Sequence, residues 1–106
     1  TDFFFRAPAT YDPDVIKKRW KEDTPSILGE LAAILKDFKD FYPSHLETEV
    51  SAWIEKKGYN AGAVLNPLRL VIVGASHGPH IFDIMGWIGK EETISRIMKG
   101  ISVIAR

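Results

Sequence analysis

Residues 74 to 78 read Gly-Ala-Ser-His-Gly, the G-x-S-x-G spacing in which a serine on a tight strand-to-helix turn becomes an acyl-transfer nucleophile. The partners do not fit that chemistry. Such a turn needs an acid and then a histidine after the serine, whereas the last histidine here is His80, which precedes Asp83. A chain of 106 residues also lacks room for the sheet that holds the turn, so Ser76 reads as a loop serine or a cap. His77, His80 and Asp83 follow at a spacing that would suit a metal, but His45 is the only other histidine and there is no cysteine to complete a ligand set. The histidines read as loop residues near a polar surface, with contact to a ligand phosphate or base as the alternative. Gly74, Gly78, Gly86 and Gly89 match neither the dinucleotide fingerprint nor the phosphate loop. No ATP site or metal site is expected within this chain.

Arg69 is more informative. No acidic residue lies between Gly58 and Phe82, and Arg69 is the only full positive charge in that stretch, embedded in PLRLVIVG. A guanidinium is costly to bury unpaired and offers a planar donor fork. It therefore either pairs with an acid from elsewhere, reaches solvent at a rim, or faces an anionic or planar ligand beside the helix start at Gly78-Pro79, where backbone N–H groups are free.

The elements that would position these residues are helices. Asp12-Pro13 is an N-cap with proline at the first helical position, opening a helix to about Lys21. Thr24-Pro25 repeats that arrangement ahead of an apolar stripe of Ile27, Leu28, Leu31, Ile34, Leu35 and Phe38, and Pro43 predicts an end near Phe41. Ser44 with Glu47 forms a capping box for a third helix, whose stripe is Leu46, Val50, Trp53 and Ile54 and whose terminator is Gly58. Asn60 caps a short helix over 61–65, and Asn66-Pro67 starts another over 67–73. LRLVIV has the β-branched content of a strand, but a lone strand among helices would leave its backbone groups without partners. Gly78-Pro79 opens a helix through Ile88, with Gly86 mid-helix for close packing and Gly89 as its end. A last helix from Lys90 to about Ile104 buries Ile94, Ile97, Met98, Ile101 and Ile104. The expected fold is all-α: one domain over 1–106, a compact bundle or cage of about six short helices, with 1–11 as a lead-in that docks Phe3, Phe4 and Phe5 onto the body. The core should include Leu31, Ile34, Leu35, Trp53, Leu70, Ile84, Ile94 and Ile97.

Composition narrows the function classes. Hydrophobic residues make up 45% and charged residues 26%, a folded profile rather than a disordered one. The absence of cysteine excludes disulfides, Cys-ligated zinc, iron–sulfur centres and thiol nucleophiles. No apolar stretch is long enough for a membrane span and no secretory leader opens the chain, so a cytoplasmic, membrane-free protein is expected. Fourteen Lys and Arg balance fourteen Asp and Glu. Residues 1–53 carry seven bases and ten acids, and residues 54–106 seven bases and four acids, so a polyanion should meet the second half. A start at Thr1 without methionine is expected of a piece of a longer chain.

Residues 65–98, LNPLRLVIVGASHGPHIFDIMGWIGKEETISRIM, resemble the C-terminal part of bacterial glutamyl-tRNA synthetases. There a P-L-R-x-A-L-T-G stretch leads to G-P-x-L and then to L-G-K-E-x-x-x-x-R-[IL]. Trp53, Gly58, Gly62 and Val64 fit the approach to that stretch. The resemblance implies a class I synthetase, in which a Rossmann catalytic domain uses ATP with Mg2+ to attach glutamate to tRNA(Glu) and an all-helical module binds the anticodon. This chain would be part of that module, inactive by itself, without a cofactor of its own, monomeric, and partnered by the tRNA(Glu) anticodon loop and the other domains of the same enzyme. The anticodon contact carries over to Arg69, with Gly78, Pro79 and Ile81 packing against the bases. The sequence departs from the pattern at Val71-Ile72-Val73-Gly74, which has no hydroxyl where the family has threonine. His77 and His80 stand at variable positions. The rival readings are a helical protein-interaction module without RNA, which requires Arg69 to be paired internally, and a small hydrolase, which requires 69–73 to be a strand in a parallel sheet.

Overall fold

The caps at Asp12 and Asn60 open helices where the sequence places them. In the computed structural model, which describes residues 8, 10–74 and 79–104, Asp12 Oδ1 accepts from Asp14 N at 2.9 Å and opens α1 (Pro13–Arg19). Asn60 Oδ1 accepts from Ala63 N at 3.1 Å and opens α4 (Ala61–Val73). The other helices are α2 (Thr24–Lys36), α3 (Pro43–Lys57), α5 (Ile81–Ile88) and α6 (Lys90–Ile104). No strand occurs among the described residues, so residues 69–73 lack the sheet a hydrolase would need.

Several boundaries differ from those expected. α2 ends at Lys36, not near Phe41: Asp37 N and Phe38 N fold back onto Ile34 O and Leu35 O. The Lys90 ammonium then donates to Lys36 O at 3.2 Å and Phe38 O at 2.7 Å, placing a cation from α6 on the negative end of α2. α3 starts at Pro43 with Tyr42 as its cap, so the Ser44–Glu47 capping box does not form. The restriction that Pro43 imposes on Tyr42 serves as a helix entry instead of a helix exit. Thr24 shifts by one position as well; its hydroxyl accepts from Lys21 N at 2.8 Å while Asp23 takes the cap position.

α4 runs unbroken through Pro67, where two helices were expected. The carbonyl deprived of its donor belongs to Ala63, an exposed residue, so the loss falls at the surface and not in the core. Asn66 Nδ2 donates to Gly62 O at 3.0 Å within the turn that precedes the proline. Val64, Leu68, Leu70, Val71 and Ile72 are fully buried, and that burial on both sides of the proline outweighs its local cost.

The core unites Leu28, Leu31 and Leu35 of α2, Leu46 and Val50 of α3, Val64, Leu68 and Ile72 of α4, Ile84 and Met85 of α5, and Ile97 of α6. Of the expected core, Leu31, Leu35, Leu70, Ile84 and Ile97 are buried, while Ile34, Trp53 and Ile94 are half-buried around it. Met98 is a correction: it is 51% exposed. The inward stripe of α6 is Thr93, Arg96, Ile97 and Gly100, set by α6 packing across both α2 and α4. Gly86 has the close approach expected of it, since a β-carbon there would lie 2.9 Å from Pro43 Cδ, where α5 crosses the start of α3. Phe3, Phe4 and Phe5 lie outside the described residues.

Candidate nucleic-acid interface

Arg69 sits one turn before the end of α4, half-buried. Its Nη1 is buried without a hydrogen-bond partner, and no acid forms an ion pair with it among the described residues. Burial pushes its pKa below the ordinary value, yet a guanidinium remains charged at neutral pH. A desolvated donor left in this condition costs about 1 to 3 kcal/mol. The fork is a positive, planar group with unused donor capacity, unlike the internally paired arginine that a pure protein-interaction module requires.

The backbone beyond Arg69 is fixed by short contacts. Gly74 ends α4 in the left-handed region at φ 82°, and its N–H donates to Leu70 O at 2.7 Å. A β-carbon on Gly74 would lie 2.8 Å from Thr10 O and 2.9 Å from Pro8 Cβ, so Pro8 and Thr10 lie directly against this residue. Asp12 N then donates to Gly74 O at 2.9 Å. Glycine is required here both for its φ and for the space it leaves.

On the far side of the turn, Pro79 is half-buried and His80 caps α5, with Nδ1 accepting from Phe82 N at 3.3 Å. That bond needs the tautomer with its proton on Nε2, the atom 3.9 Å from Glu47 Oε2. His80 is thus a helix cap on a polar surface, a role that its spacing from His77 and Asp83 did not reveal. Among the described residues no group of three His, Cys, Asp or Glu could hold a metal. Ile81 is only 4% exposed and joins the core, so the half-buried Pro79 is the more accessible apolar group of the two. Gly78, Ser76 and His77 lie outside the described residues.

Arg96, to which the sequence reading gave no role, is the largest fully buried side chain, at 1% exposure. Its Nε donates to Glu92 Oε2 at 2.7 Å and its Nη1 to Ile72 O at 2.9 Å. In the sequence its i,i+4 spacing from Glu92 has the form of an ordinary surface pair, and nothing there marks it as internal.

Known proteins share this arrangement. The family described as the anticodon binding domain matches residues 1–101. The chain is 49% identical over 98% of its length to a glutamate–tRNA ligase of Flavobacterium johnsoniae, covering 21% of that protein. It is 51% identical over 96% of its length to one of Porphyromonas gingivalis, covering 20%. A crystal structure of a glutamate tRNA ligase from Elizabethkingia meningosepticum superposes with a TM-score of 0.92 at 40% identity, over 97% of this chain and 20% of that one. The chain spans about a fifth of the length of these relatives. With the six helices of the described residues in a closely similar arrangement and a family match across nearly its whole length, the chain belongs to the anticodon binding domain family.

Proposed function

We propose that this domain holds the anticodon loop of tRNA(Glu) on behalf of a cytoplasmic, monomeric ligase that attaches glutamate to that tRNA. The observation that carries the reading is Arg69: a charged, half-buried fork with an unpartnered Nη1, one turn from the end of α4, in a segment free of acids. Sequence-specific RNA recognition targets unstacked loop bases through stacking on guanidinium planes, aromatic rings or apolar faces, together with hydrogen bonds to base edges. Arg69 supplies the plane and the donors, and Pro79, with Gly78 before it, supplies an apolar edge at the start of α5. Ile81 contributes from beneath by anchoring that helix start in the core. ATP with Mg2+ acts in the catalytic domain of the ligase, and this domain contributes tRNA selection without chemistry.

Chemical modification of tRNA(Glu) tests the reading. The anticodon bases should be protected when the ligase binds, and Arg69→Ala should remove that protection while leaving the acceptor end protected. An anticodon that reacts equally with and without the protein would end the proposal.

A further inference from the structure

The end of α4 is held from inside the core by an arginine. We infer that Arg96 is a positioning residue for the anticodon surface: it fixes where the last turn of α4 ends, and so how Arg69 stands relative to the start of α5. The inference rests on the anticodon reading of Arg69.

Ile72 O, which accepts from Arg96 Nη1 at 2.9 Å, is among the last four carbonyls of α4, the ones that helix geometry leaves without an i+4 donor inside the helix. Glu92, one turn earlier on α6, orients the fork through its 2.7 Å bond to Nε. On the other side of the same turn, Gly74 O accepts from Asp12 N. The end of α4 is therefore held at Ile72 by α6 and at Gly74 by Asp12, and α6 also packs against α5. An apolar side chain of similar volume is often neutral or stabilising in place of a buried charged group, so stability alone does not require an arginine here. What the guanidinium adds is direction, because its donors are held in one plane at fixed angles.

The test uses the ligase carrying this domain, with affinities measured at fixed salt for tRNA(Glu) and for an anticodon-substituted transcript. Arg69→Ala should lower the ratio of the two affinities by about five- to a hundredfold, the range of one good base contact. Arg96→Met should fold and still lower the ratio by about threefold or more, since a small misplacement of a recognition group is expensive. Arg96→Lys should not restore it, because it returns the charge without the fork. If Arg96→Met fails to fold by circular dichroism, Glu92→Gln, which keeps the core volume and removes the orienting charge, should lower the ratio in its place. A reduced ratio for Arg69→Ala with an unchanged ratio for folded Arg96→Met or Glu92→Gln would overturn the inference alone. Unchanged ratios throughout, Arg69→Ala included, would overturn the anticodon reading and the inference with it.

Discussion

Val71 of α4 occupies the space that a β-carbon on Gly100 of α6 would fill, its Cγ1 being the nearest atom. The two helices approach as closely as they do because one of them has no side chain at that point, and the same approach brings Arg96 within reach of Ile72 O. Gly100→Ala should destabilise the domain by about 1 to 3 kcal/mol through overpacking. Gly29, in the middle of α2 with nothing within 4 Å of its would-be β-carbon, should show the opposite sign, with Gly29→Ala stabilising by about 0.5 to 1 kcal/mol. Urea titration of both variants checks the pair, and equal effects would mean that the α4–α6 contact is looser than described.

Core truncation should be costly where the site cannot collapse. Leu35 and Ile97 are fully buried, and replacing either by alanine should cost about 2 to 5 kcal/mol. Met98→Ala, on the exposed side of α6, should change stability by less than about 0.5 kcal/mol. Denaturation midpoints that rank Met98→Ala with Ile97→Ala would reverse the assigned face of α6.

One pH effect follows from a single hydrogen bond. The Tyr59 hydroxyl donates to Glu30 Oε1 at 2.9 Å, and that bond, ahead of burial and of the charges on Glu30 and Asp23, raises the tyrosine pKa above its ordinary 10.0. A folded-state pKa above the unfolded value means the contribution is fully present below pH 10 and is lost as pH rises through the folded pKa. The stability difference between the wild type and Tyr59→Phe should therefore shrink above pH 10. A difference that stays constant through that range would mean that the bond is not formed in solution.

The contrast between Asp12 and Pro67 shows what was legible in the sequence and what was not. Asp12, Asn60, Gly58 and Gly89 act on their own few residues, so their local chemistry sufficed to place helix starts and ends. Pro67 opposes its local preference because residues on both sides of it are buried by other helices, and no local rule contains that term. The end of α2 at Lys36 depends likewise on Lys90, far along the chain. In the site, Arg69 stood out because an acid-free segment left it without a nearby partner. Arg96 did not, because its spacing from Glu92 has the form of an ordinary surface pair and only the packing of α6 reveals that it is internal.

Lys90 should prove structural despite its charge. Lys90→Met removes both bonds to the end of α2 and should cost about 1 kcal/mol of stability, while tRNA affinity, corrected for the folded fraction, changes less than it does in Arg69→Ala. A larger loss of affinity than of stability would instead assign Lys90 to the RNA surface.

The central claim is that Arg69 reads the anticodon, and its most direct test is titration of the ligase with tRNA(Glu) at fixed ionic strength, with circular dichroism verifying the fold. Arg69→Ala should weaken binding by about 1 to 3 kcal/mol and bring the affinities for wild-type and anticodon-substituted tRNA(Glu) together. A folded Arg69→Ala protein with unchanged affinity and unchanged discrimination would contradict the account.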